Sequence, residues 1–116
     1  MVVKRIKPNI LSEKFAESRS FYNDVVGLPG GEGSDWILFF GTDQREVQLS
    51  VMSLDIAAGI HADVSIEVDD VDDVHARACA AGSEIVYPLT VEPWGVRRFF
   101  VLDPNGTIIN VTEHDE

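Results

Sequence analysis

Arg97-Arg98-Phe99-Phe100-Val101-Leu102-Asp103-Pro104-Asn105-Gly106-Thr107-Ile108-Ile109-Asn110-Val111 reads as two strands joined by a turn. Arg97 to Leu102 and Thr107 to Thr112 are rich in β-branched and aromatic residues, and Asp103 to Gly106 sets Pro and Gly where a β-turn prefers them. Glu84 to Tyr87 supplies a third strand just before them. Further upstream, Val71, Val74, Ala78 and Ala81 form a stripe at helical spacing, with Asp69 and Asp70 as cap and first-turn charge and Gly82 as a stop, which predicts a helix over 71–81. Ahead of that helix, Ala62, Val64, Ile66 and Val68 alternate with His61, Asp63, Ser65 and Glu67, a period of two that specifies a half-buried strand.

The first half repeats this pattern of strand, helix and further strands. Ser12 is placed to cap a helix over 13–26 with Phe15, Ser18, Tyr22 and Val25 on one stripe, ended by Gly27. Trp36 to Phe40 and the alternating Val47, Leu49 and Val51 read as a hairpin turning through Gly41 to Arg45. Pro29 and the glycines between Leu28 and Gly33 make that segment read as an irregular loop rather than a good strand. Only Ser53 to Ile60, with Gly59, could connect the halves, so they are expected to form one domain, with module one at 1–55 and module two at 60–116.

At 116 residues and 45% hydrophobic, the chain suffices for one domain with a core and is too short for two ordinary ones. No run approaches the roughly 18 apolar residues of a membrane span, and basic Met1 to Lys7 is not followed by a signal-like apolar stretch, so a cytoplasmic location is expected. A net charge of −11 repels nucleic acid and anionic membranes; the acidity serves solubility or, in the sharper reading, attracts cationic small molecules. The lone Cys79, inside the second helix, is expected to be a small buried hydrophobe.

Phe21-Tyr22-Asn23-Asp24-Val25-Val26-Gly27-Leu28, Glu67-Val68-Asp69-Asp70-Val71, Pro93-Trp94-Gly95 and Arg98-Phe99-Phe100 leading into Asp103-Pro104-Asn105-Gly106 resemble, in order and spacing, the glyoxalase/bleomycin-resistance/dioxygenase superfamily, also called vicinal oxygen chelate. The resemblance spans nearly the whole chain. It implies an α+β fold of two βαβββ modules, a curved, cup-like mixed sheet with helices on the outer face, and a homodimer with sites at module or subunit boundaries. In metal-using relatives it implies a His on the first strand, a His or Glu on the strand opening the second module and a Glu on the final strand. Those positions fall here near Lys7, with Pro8 and Asn9 beside it, at Asp63 and at Asn110. A protonated lysine, one carboxylate and one amide make a thin site for a divalent ion. His61, two residues before Asp63, could stand in for the missing histidine if the register shifted.

The remaining candidates follow from side-chain chemistry. Asp63 and Glu67 put carboxylates on one strand face, for a cationic ligand or for base catalysis if that face lines the cavity, and for solvation if it does not. Trp36 and Trp94 offer faces to flat or cationic ligands, Trp94 the better placed because Pro93 and Gly95 flank it. Arg97 and Arg98 diverge, so at most one enters the cavity, and Glu92 is expected at its rim. One phenylalanine from each of the pairs Phe39/Phe40 and Phe99/Phe100 should face the helices and one the cavity. His75 is expected to pack or be solvated, and His114 to contact substrate or belong to a mobile tail.

The reading these residues favour is a metal-independent small-molecule binding protein, of which a drug-sequestering resistance factor is one form. Its ligand, cationic or aromatic, would meet Trp36, Asp63, Glu67, Trp94, Arg98 and Asn110, and no cofactor is expected. The alternative is a lyase, isomerase or dioxygenase using a divalent metal on His61 or Asp63 with Asn110; a metal-free base reaction at Asp63 or Glu67 is the third.

Overall fold

In the computed structural model, residues 2–44 and 47–115 are described. The chain divides into an N-terminal unit, Lys7–His61, and a C-terminal unit that joins Met1–Ile6 to Ala62–Glu116. Strand β1 (Val3–Leu11) gives its first residues to the C-terminal unit and its remainder to the N-terminal one.

The N-terminal unit continues from β1 through helix α1 (Phe15–Ser20), which widens into a π-helical segment, Phe21–Val26, and then through β2 (Gly30–Gly33), β3 (Ile37–Gly41) and β4 (Gln48–Met52). Its strands lie in the order β2-β3-β4-β1, with β1 and β4 parallel and the others antiparallel. The helix begins later than its sequence predicts. Lys14 holds the N-cap position, while Ser12 Oγ accepts the Lys14 N–H at 2.9 Å and so closes a turn ahead of the helix. Gly27, at φ 83°, stops it as expected.

The segment before β3 corrects the loop expectation, because Gly30–Gly33 pairs with β3 as a bulged strand. A Cβ on Gly30 would lie 2.6 Å from the Phe39 carbonyl oxygen, and one on Gly33 would run into that of Ile37. The glycines that weaken strand propensity are what allows this backbone to approach so closely. Asn23 Nδ2 then donates to the carbonyls of Leu28 (2.9 Å) and Gly30 (3.2 Å), tying the helical segment to β2. The β3–β4 hairpin is as expected, although Arg45 of its turn lies outside the described residues. Leu38, Phe40 and Val51 form the core with Phe15, Tyr22, Leu28 and Leu49 around them, while Phe39 lies on the other face, half exposed.

The C-terminal unit holds β5 (Val64–Val68), α2 (Val71–Ala80), β6 (Ile85–Glu92), β7 (Val96–Leu102) and β8 (Ile108–His114), in the strand order β1-β5-β8-β7-β6. β5 and β8 are parallel, and β7 is antiparallel to both β8 and β6. The Asp70 carboxylate caps α2 by accepting the Asp73 N–H, and Glu113 Oε1 accepts the Val71 N–H at 2.8 Å. Val71, with Val74 and Ala78 beside it, packs on Val68, Phe99 and Val111. Cys79 is exposed rather than buried, because it lies about 100° around the helix from that stripe, with Sγ 3.9 Å from His75 Nε2. The β7–β8 turn is pinned by Asp103 Oδ1, which accepts the N–H groups of Thr107 (2.9 Å) and Asn105 (2.8 Å). The Thr107 N–H above all holds this carboxyl below its ordinary range, partly opposed by desolvation and helped by Asn105.

Both units thus repeat strand, helix and three strands, an α+β arrangement of mixed sheets with a helix on one face of each. The register shows more repetition than the sequence does. Asn9 sits opposite Ser50 across the first parallel pair, and Ser65 opposite Asn110 across the second, the same two residue types in reversed order.

Candidate functional site

Strand parity sorts the C-terminal sheet into two chemistries. Val68, Phe99 and Val111 face α2. On the opposite parity the cross-strand partners are Ser65 with Asn110, Glu67 with Thr112, Asn110 with Phe100, Thr112 with Arg98, and His114 with Val96. A polar and aromatic face therefore lies back to back with the apolar one.

At its centre Glu67 is only 2% exposed, which corrects the alternative of a water-facing strand edge. A carboxylate removed from water needs partners. Arg5 Nη2 lies 2.7 Å from Oε1, and His114 Nδ1 lies 3.3 Å from Oε2. His114 is not a frayed tail: it belongs to β8, whose end is held where the Asp115 N–H donates to the Gly95 carbonyl at 2.9 Å.

Arg98, 5% exposed, directs Nε and Nη2 to a single oxygen, Oε2 of Glu92, each at 2.7 Å. The Tyr87 hydroxyl donates to the same oxygen at 3.0 Å. Three rings surround the guanidinium, with centroids 5.0 Å (Phe100), 5.2 Å (Trp94) and 5.3 Å (Tyr87) from Cζ, within cation–π range. Glu92 is accordingly buried beneath this cluster rather than at a rim. Arg97 diverges as expected and pairs with Asp72 at 2.7 Å. Trp94, in the turn between β6 and β7, is 52% exposed while meeting Arg98, so part of the indole remains open.

Asn110 donates through Nδ2 to Ser65 Oγ at 3.1 Å, and its Oδ1 is shielded from solvent without a hydrogen-bond partner. Glu67, Arg98, Trp94 and Asn110 therefore share one unit and one face. Asp63 stands exposed just ahead of β5, its N–H donating to the Ile108 carbonyl at 3.0 Å. Because β5 begins only at Val64, neither Asp63 nor His61 occupies the strand face on which their spacing had suggested a shared position. Trp36 and His61 belong to the N-terminal unit: the Trp36 carbonyl accepts the Ser53 N–H, and His61 Nε2 lies 3.0 Å from the Asn9 carbonyl oxygen. Lys7, also in that unit, sits over the Phe39 ring at 5.3 Å.

A resident divalent ion does not fit these donors. Among the described residues, no three His, Cys, Asp or Glu side chains are grouped to hold a metal. The carboxylate nearest the centre of the face, Glu67, already meets a guanidinium. Among the described residues, no helix is long and apolar enough to cross a membrane.

Two βαβββ repeats, each with a parallel outer-strand pair and one helix, define a class of α+β protein with tandem modules. The sequence profile of the Glyoxalase/Bleomycin resistance protein/Dioxygenase superfamily matches residues 7–111, and the chain belongs to that superfamily. Its fold is similar to a superfamily member from Vibrio splendidus 12B01 (20% identity, TM-score 0.74, covering 97% of this chain and 99% of that one). It is equally similar to a Legionella pneumophila structure described as an NAD-dependent benzaldehyde dehydrogenase (16%, TM-score 0.74, 95% and 99%). The Mn(II)-bound glyoxalase from Novosphingobium aromaticivorans is also similar (20%, TM-score 0.62, 96% of this chain and 38% of that one). No functionally curated protein matches the chain in sequence.

Proposed function

We propose that this chain is a metal-independent small-molecule binding protein, acting as a cytoplasmic homodimer, whose ligand lies on the polar face of the C-terminal unit against Trp94. The observation that carries this reading is the half-open indole of Trp94, fixed on a guanidinium that is itself locked by Glu92. A rigid aromatic surface loses little freedom when a flat ligand stacks on it. The chain's charge of −11 and the exposed Asp63 favour cationic aromatic compounds, and sequestration of a drug of that kind is one form the function takes. Arg5 answers the charge of Glu67, so Glu67 contributes less to cation recognition than its position on the strand suggests.

Isothermal titration calorimetry with cationic aromatic compounds, which needs no indole as reporter, tests the site. Asp63→Ala combined with Trp94→Ala is expected to weaken binding at least tenfold, about 1.4 kcal/mol, and unchanged affinity would reject the assignment. Elemental analysis after incubation with Mn, Fe, Co, Ni and Zn salts and desalting is expected to find no retained ion. About one tightly held ion per subunit would overturn the metal-independent reading and restore the lyase, isomerase or dioxygenase alternative.

A further inference from the structure

The turn between β7 and β8 carries the one Asn-Gly step of the chain, Asn105-Gly106, and both residues are exposed. Gly106 stands there for a conformational reason. Its φ is 83°, in the left-handed region that residues with a Cβ avoid, although a Cβ itself would meet nothing within 4 Å. The same glycine makes its neighbour reactive, since it sets no side chain in the way of its own backbone nitrogen. We propose that Asn105 is a site of spontaneous deamidation, with water as the co-reactant, and that Asp103 sets its rate by holding both reacting groups. This modification site is independent of any ligand on the sheet.

Deamidation joins the Gly106 nitrogen to Asn105 Cγ, and both groups are tied to Asp103. The Gly106 N–H donates to the Asp103 carbonyl oxygen at 3.1 Å. Asn105 Nδ2 donates to Asp103 Oδ2 at 3.4 Å, and the Asn105 N–H donates to Oδ1 at 2.8 Å. The Thr107 N–H also donates to Oδ1, at 2.9 Å, so the carboxylate fixes the backbone on both sides of Gly106. To react, the Gly106 nitrogen must give up its proton and the Asn105 amide must swing toward it. That breaks the bond to the carbonyl and the bond to Oδ2, and each lost bond raises the barrier. Held below its ordinary range, chiefly by the Thr107 N–H, the Asp103 carboxyl is an ionised acceptor at the neutral and alkaline pH where an amide nitrogen can lose its proton.

In the reaction a solvent base takes the Gly106 N–H proton, and the electron pair of the nitrogen forms a bond to Asn105 Cγ. The Cγ–Nδ2 bond then breaks, and Nδ2 takes a proton from water and leaves as ammonia, which closes a succinimide ring. Water adds to one of the two ring carbonyls and opens the ring. Attack at Cγ yields aspartate; attack at the main-chain carbonyl yields isoaspartate, whose backbone is longer by one carbon. Nothing is oxidised or reduced. Either product removes the amide that donated to Asp103 and puts a second carboxylate in the turn beside it, so repulsion replaces a tie.

The intact chain is incubated in mildly alkaline buffer, and peptide mass spectrometry after isoaspartate-resolving chromatography follows Asn105. Unfolding in guanidinium chloride is expected to speed its conversion at least about tenfold, the rate equivalent of the hydrogen bonds released. In native buffer, Asp103→Ala should raise the rate about tenfold over the unaltered protein, with circular dichroism showing that both are folded. Asn105→Gln should leave the position unmodified even in denaturant, because the longer side chain would have to close a larger and less readily formed ring. Should Asp103→Ala fail to fold, Asp103→Ser gives the same comparison: its hydroxyl still accepts an N–H of the turn, but it lacks the second oxygen that takes the Asn105 amide. An Asn105 that stays intact in denaturant, or one that converts as fast in the native protein as in denaturant, would overturn the proposal. A native rate that neither Asp103 variant changes would overturn it as well.

Discussion

Glu92→Ala should cost about 3–5 kcal/mol of stability, because it takes from a buried guanidinium the carboxylate oxygen on which two of its N–H groups close. Arg98 sends two N–H groups to one oxygen of Glu92, and both residues are buried. With that oxygen gone, the guanidinium would face Phe100, Tyr87 and Trp94. Cation–π attraction returns only about 0.5–2 kcal/mol, far less than a buried charge loses with its counter-ion. The Tyr87 hydroxyl would lose its acceptor as well. Urea unfolding of Glu92→Ala, of Arg98→Met and of the double variant checks the argument: the double variant should be more stable than Glu92→Ala alone, since it leaves no buried guanidinium deprived of its carboxylate. A loss below about 1 kcal/mol for Glu92→Ala would show that solvent reaches the pair.

Phe99→Ala is expected to cost a similar amount, about 3–5 kcal/mol, for a different reason. Its ring is fully buried at the centre of the C-terminal core, against Val68, Val71 and Val111, with the His75 ring edge-on at 4.9 Å. Truncation loses the transfer free energy of the ring and leaves a cavity that two strands and a helix cannot collapse. Phe39→Ala is the control, since that ring is half exposed and its loss should cost about 1 kcal/mol or less. Against a typical stability of about 5–15 kcal/mol, the first substitution approaches loss of the fold and the second does not, a contrast that thermal or urea unfolding resolves.

That one phenylalanine of each adjacent pair faces the helix is readable from strand parity, although which one is not, and the Asp70 cap of α2, the Asp103–Gly106 turn and the divergence of Arg97 from Arg98 are readable as well. Each depends on neighbours within a few residues. The turn position of Trp94 is legible for the same reason, through Pro93 and Gly95. What stayed hidden depends on pairing between distant strands. Nothing near Glu67 in sequence announces Arg5 or His114; only the β1-β5-β8 order brings them to it. Sequence puts Asp63 on the strand face because its alternation is continuous with that of Val64 to Val68, and periodicity carries no mark of where a strand begins. β2 is hidden because glycine content argues against a strand unless a close backbone approach requires it, and that approach is a tertiary fact. The sequence starts the first helix two residues early because Ser12 resembles a cap, whereas its Oγ accepts the Lys14 N–H ahead of the helix.

The division of the two tryptophans gives the molecule a built-in pair of optical reporters. Trp36 lies in the N-terminal unit and Trp94 in the C-terminal unit, the latter beside a guanidinium. Replacing either with phenylalanine leaves a chain whose ultraviolet emission comes from a single indole in one known module. Denaturation curves recorded on the two variants then register each module separately, and their coincidence or separation measures the cooperativity between the repeats without any external label.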